Sequence, residues 1–136
     1  MPKTMWWLRL VGGFYLLLTA GNLLGMAFYP QMFNDTLPYP ADDLAVQAFS
    51  DAWLVFILEL AALGIMLLYA ARDPARSGIL VLTVVLAEML RGVVADAIWI
   101  MRGYSVVSYS VFIVIHLVII VTGLWFLRQE SPQAAG

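Results

Sequence analysis

The chain has 136 residues, 63% of them hydrophobic and 12% charged, with 7 Lys and Arg against 9 Asp and Glu. A soluble domain carries roughly 45–50% apolar and about 25% charged residues, so a water-soluble enzyme and a disordered chain are both excluded. The net charge of -2 argues against nucleic acid as a partner, which calls for a basic face, and the lack of cysteine removes disulfides, thiolate metal sites and thiol redox relays.

Four apolar runs, at 6–28, 45–71, 78–101 and 106–127, each reach the roughly 20 residues that cross about 30 Å of hydrocarbon. They predict an all-α integral membrane four-helix bundle, a single transmembrane domain over 1–136. The first run follows Lys3 and precedes small residues, as a signal peptide does, but its length and the Arg9 inside its start favour a retained helix. Segment 29–44, with Pro30, Pro38 and Pro40, leads to the second run; 72–77 and 102–105 separate the others. Lys3, Arg9, Arg72, Arg76 and Arg128 fall on one side and Arg102 alone on the other. The positive-inside rule then places both termini in the cytoplasm and the acidic loop 29–44 outside. Aromatic belts agree, with Trp6, Trp7, Tyr69 and Trp125 at the inner interface and Tyr29, Trp53, Trp99 and Tyr104 at the outer one.

Ionisable residues interrupt three of the runs: Asp51 and Glu59 in the second, Glu88, Arg91 and Asp96 in the third, and His116 in the fourth. Near a span centre each charged one costs about 2.5–3.5 kcal/mol, so such groups face protein or a wet cavity. At about 1.5 Å per residue, Glu59, Glu88, Arg91 and His116 lie within about two turns of the midplane, with Asn22, Asp51 and Asp96 on the outer half. At about 100° per residue, Glu88, Arg91, Gly92, Asp96 and Trp99 share one face of the third helix, and Tyr109, Phe112 and His116 share a stripe on the fourth. Tyr15, Thr19 and Asn22 form a milder polar stripe on the first. Four carboxylates against Arg91 and a conditional His116 require neutralisation by a proton, a metal, a cationic ligand or water.

These residues define a candidate site. Glu59, Glu88 and His116 are the candidates for proton transfer, because buried carboxyls beside an imidazole form an acid and base pair. Arg91 would fix a polar or anionic group, Asp96 would orient or relay, and Trp99, Asn22 and Tyr109 would complete a ligand wall. Blander readings stand beside these. Glu88 and Arg91, three apart, can be a structural ion pair, and His116 an interhelical hydrogen bond. Asp51 and Asp96 can be hydrated at the outer interface, Trp53 and Trp99 can be interface anchors, and Asn22 can bond a neighbouring helix. Gly21-x-x-x-Gly25 reads as close helix packing, with a homo-oligomer seam as the alternative.

Several chemistries are set aside. A retinal Schiff base needs an intramembrane lysine, and the only lysine is Lys3. Haem held by two histidines of one chain is impossible with one His. Small multidrug transporters carry their membrane glutamate on the first helix, which has none here. A metal site built from Glu59, Glu88 and His116 lacks a Glu-x-x-His motif; no metal and no cofactor are expected.

The stretches from Trp53 to Leu60, from Glu88 through Arg91 and Gly92 to Asp96, and from Ile115 through His116 to Gly123 resemble the BphX-like family of small bacterial membrane proteins. The likeness runs over all four helices, with a more distant similarity to the DoxX-like group. It implies a multi-pass protein of the bacterial inner membrane connected with apolar aromatic compounds; the family assigns no catalytic residue to carry over. The residues themselves point to a small hydrophobic ligand bound in a buried polar pocket, with the lipid bilayer as surroundings and acid–base chemistry left open. A proton-coupled transport component and a structural accessory subunit are the alternatives.

Overall fold

The computed structural model describes residues 3–130, and among them every long element is a helix. Four helices are long and apolar enough to cross a membrane: α1 (Lys3–Phe28), α2 (Asp43–Ala70), α3 (Gly78–Met101) and α4 (Val106–Glu130). Their boundaries follow local chemistry. α1 ends before Pro30, which opens a 3₁₀ turn (Pro30–Phe33) because proline has no N–H to donate but fits the first turn. Asp42 caps α2, its carboxylate accepting from the Ala45 N–H at 2.8 Å. Pro74 opens a second 3₁₀ turn (Pro74–Arg76) that returns the chain to α3. Between α3 and α4, Gly103 takes φ +92°, a region open mainly to glycine, and Ser105 caps α4 through the Ser108 N–H.

α3 is not uniform. Residues Glu88–Val94 form a π-helical segment in the middle of the span. Such segments are rare and concentrate at functional sites. This one holds three of the intramembrane features singled out above, Glu88, Arg91 and Gly92.

Packing divides the bundle into two halves. At the end carrying residue 3 and the 72–77 connection, Trp7, Leu8 and Val11 of α1, Leu60 and Leu67 of α2, Val81 and Val84 of α3 and Ile119 of α4 form a continuous core. α1 pairs most extensively with α2, and α3 with α4. The α1–α2 crossing is closest where two glycines meet: a Cβ on Gly12 would fall 2.9 Å from the Gly64 carbonyl oxygen. Gly21, by contrast, has nothing within 4 Å of where its Cβ would lie, and Gly25 meets only Met32. The tight intrachain contact is therefore Gly12–Gly64, because these two, and not the Gly21-x-x-x-Gly25 pair, sit on the facing sides of their helices.

Of the aromatic residues expected to form a belt at this end, Trp6, Tyr69 and Trp125 are exposed and each lies beside a basic side chain. Arg9 lies over the Trp6 ring at 5.7 Å, Arg72 over Tyr69 at 5.3 Å and Lys3 over Trp125 at 5.8 Å. Trp7 is not in the belt. It is buried, its indole N–H donating to the Ile119 carbonyl at 3.2 Å and the Thr122 hydroxyl at 3.1 Å. Gly123 leaves room for its ring, since a Cβ there would come within 2.8 Å of it.

Candidate functional site

The other half of the bundle encloses a cavity of 490 Å³ between all four helices. All but one of the sequence-predicted site residues line it: Glu88, Arg91, Asp96 and Trp99 from α3, Tyr109 and His116 from α4, and Asn22 from α1. The exception is Glu59, which is exposed on the outer surface of α2 and has no hydrogen-bond or ion-pair partner among the described residues. Asp51 is exposed on α2 as well. The expected surplus of buried carboxylates disappears with them. Inside the bundle, Glu88 and Asp96 face Arg91 and His116, two acids against two bases.

Glu88 is the hub. It is 1% exposed, and both of its oxygens are engaged. The Tyr15 hydroxyl donates to Oε1, and Arg91 Nη2 stands 3.6 Å from the same oxygen. His116 Nδ1 lies 2.5 Å from Oε2. The i,i+3 ion pair and the interhelical hydrogen bond foreseen as separate bland readings are thus one network joining α1, α3 and α4. Arg91 is held in addition by aromatic faces, with Phe56 at 5.1 Å and Tyr15 at 5.9 Å from its guanidinium carbon.

His116 is oriented by this contact. With Nδ1 on Glu88, its Nε2 points to the opposite side, 3.5 Å from Asp96 Oδ2. A carboxylate that fixes one imidazole nitrogen and leaves the other to exchange a proton is the arrangement that selects a tautomer in acid–base catalysis. Gly92 makes the placement possible: a Cβ there would fall 2.4 Å from His116 Cγ, so only glycine lets the ring lie against α3.

Asp96 departs from the expectation that it is hydrated at the outer interface. It is 4% exposed, and its Oδ2 is buried without a hydrogen-bond partner among the described residues. Its direction is the one α-helical counting gives, on the face shared with Glu88 and Arg91; that face turns into the cavity, where α4 covers Asp96 through His116.

Aromatic rings make up much of the remaining wall. Trp53, read from sequence as an interface anchor, lies within a cluster instead: Phe56 at 4.8 Å, Phe49 at 5.9 Å and Trp99 at 6.4 Å between centroids. Its indole N–H donates to Asn22 Oδ1 at 3.0 Å, which is the interhelical bond expected of Asn22. Trp99 meets Tyr109 edge-on at 5.3 Å and stacks on Tyr104 at 5.8 Å. Burial, with the Tyr39 hydroxyl beside it, pushes the Tyr104 phenol up to about 12, so this rim stays uncharged.

Tyr15, Gly92 and Phe56 were not singled out as site residues. Tyr15 and Gly92 lay on the polar faces read from sequence, whereas Phe56 carried no signal because a phenylalanine is ordinary in a membrane span. No group of three or more His, Asp or Glu with metal-binding geometry occurs among the described residues.

A family model described as BphX-like matches residues 1–131. An uncharacterized BphX-like protein of Burkholderia cepacia is 32% identical over 98% of this chain and 97% of its own length. An uncharacterized BphX-like protein of Paraburkholderia xenovorans (strain LB400) is similar to the same extent. No solved structure matches the chain.

Proposed function

The chain belongs to the BphX-like family, and we propose that it is a small-molecule-binding membrane protein whose cavity takes an apolar, aromatic compound carrying a hydroxyl or similar hydrogen-bond donor. The observation that carries this reading is Asp96 Oδ2, a buried carboxylate oxygen on the wall of an aromatic cavity that accepts no hydrogen bond among the described residues and has only His116 Nε2 beside it, at 3.5 Å. Buried acceptors without partners are costly and rare in folded proteins. A ligand hydroxyl donating to Asp96 would satisfy this one, and rings stacked among Trp53, Trp99 and Tyr109 would supply the apolar contact.

Acid–base chemistry follows from the same geometry. His116 Nε2 and Asp96 Oδ2 would share or exchange one proton with the ligand's hydroxyl. Glu88 acts through His116 as a positioning residue and stabilises the imidazolium, with Arg91 balancing its charge. Transport across the bilayer is the weaker reading, because the fully buried Leu8, Leu67, Val81 and Val84 fill the other half of the bundle.

Equilibrium binding of labelled 1-naphthol and naphthalene to the purified protein tests the proposal. A hydrogen bond to a charged acceptor contributes about 1.5–3 kcal/mol, so the naphthol should bind about ten- to a hundredfold tighter. Asp96→Ala should erase that preference, and His116→Ala should weaken it, while both keep the helical content of the parent. Equal binding of the two probes, or none, overturns the reading.

A further inference from the structure

Glu59 is left unexplained by the cavity. It lies within one turn of the middle of α2, faces away from the bundle and has no partner among the described residues. A carboxyl group at that depth is not left against lipid, because intramembrane ionisable groups find protein or water.

The residues around it supply a pattern. Ala48, Ala52, Val55, Glu59, Ala62 and Met66 are spaced alternately four and three apart, and every one is exposed. Ala45 and Tyr69, also exposed, continue the spacing to both ends of α2. A run with a mean spacing of 3.5 is the seam along which two helices coil around each other. Alanine at four of its positions allows the backbones to approach closely, as small residues do in membrane helix pairs. A single polar residue at a seam position fixes register and partner number.

We propose that α2 carries a homodimer interface, in which this seam packs against its copy across a two-fold axis with the two Glu59 carboxyls facing each other. The occupant is a second copy because of the chemistry of the group. In the proposed pair the two carboxyls hold a proton between them, so that one donates while the other accepts, and a second copy supplies the matching group at the same depth. A copy inserted in the same orientation brings its Glu59 to that depth by symmetry, and an isologous two-fold contact places like against like. No other exposed helix face in the described chain combines this spacing with a mid-span polar group. The Gly21 and Gly25 positions, open on α1, lack such a group.

The absence of cysteine makes the test direct. Single cysteines at Ala48, Val55 and Ala62, oxidised in liposomes, should each yield a disulfide-linked dimer. Cysteines at Leu58, Ile65 and Gly21, equally exposed but off the seam, should not. In a fluorescence-transfer dilution assay in the same liposomes, Glu59→Leu should weaken self-association by about tenfold, while Glu59→Gln, which keeps a donor and an acceptor, should retain most of it. Both variants lie on the surface and should preserve binding of labelled naphthol, so failure here is separable from failure of the cavity reading. Cross-linking as strong at Gly21 or Leu58 as at Val55, linkage only to a protein of different mass, or a monomer at all concentrations would overturn the proposal.

Discussion

Glu59 and Glu88 are the same residue type at nearly the same depth, yet one is exposed on the outer surface and the other is the most heavily engaged group in the bundle. Composition could not separate them, because α2 is apolar around most of its circumference and gives no contrast by which to choose its inner face. On α3 the contrast exists: Met89, Leu90, Val94, Ala97 and Ile98 are all exposed, opposite Glu88, Gly92 and Asp96, which are buried. His116 shows how fine the fit is. Gly92→Ala would gain up to about 1 kcal/mol of helix propensity, but the new methyl would collide with a ring held between Glu88 and Asp96. Overpacking of this kind costs about 1–3 kcal/mol. The variant should therefore lose thermal stability on balance, with His116 displaced from Glu88, as a shift of the imidazole NMR signals would report. Unchanged signals and a raised melting temperature would refute this.

At the scale of elements, two features decide where the site lies. The π-helical segment of α3 carries Glu88, Arg91 and Gly92 in the middle of the span, where they meet Tyr15 and His116. The Gly12–Gly64 crossing draws α1 onto α2 at the core end, and Tyr15 sits one turn further along α1, where its hydroxyl reaches Glu88. Gly64→Val should wedge this crossing apart, since its Cβ would lie 3.0 Å from both the Gly12 carbonyl oxygen and Leu16. A loss of about 1–3 kcal/mol is expected, measurable as a lowered detergent-unfolding midpoint. Gly13→Val, where nothing stands within 4 Å, serves as the matched control and should change that midpoint little.

For the whole molecule, the position of the polar cavity toward one end makes membrane orientation matter, because it sets which face of the bilayer lies nearer the cavity. The cavity occupies the half bearing the 29–44 segment and Arg102; the core occupies the half bearing Lys3, Arg9, Arg72 and Arg76. The charge bias predicts that the second half is cytoplasmic. In intact cells, a cysteine at Asp35 should react with a membrane-impermeant maleimide, and one at Asp73 only after permeabilisation. The reverse pattern would invert the topology and turn the cavity toward the cytoplasm.

The sequence by itself determined the four spans, because apolar length against hydrocarbon thickness is a one-dimensional property. It also determined that α3 carries the polar face, because the energetic cost of an intramembrane charge makes each exception informative. Only the tertiary structure decided which of those charges meet. That outcome depends on helix rotation and on which glycines touch, and neither changes the hydropathy of a single residue. Hence Glu88, Arg91, Asp96 and His116 form one network with the unforeseen Tyr15, while Glu59, equal to them in cost and depth, was turned away to the surface of α2.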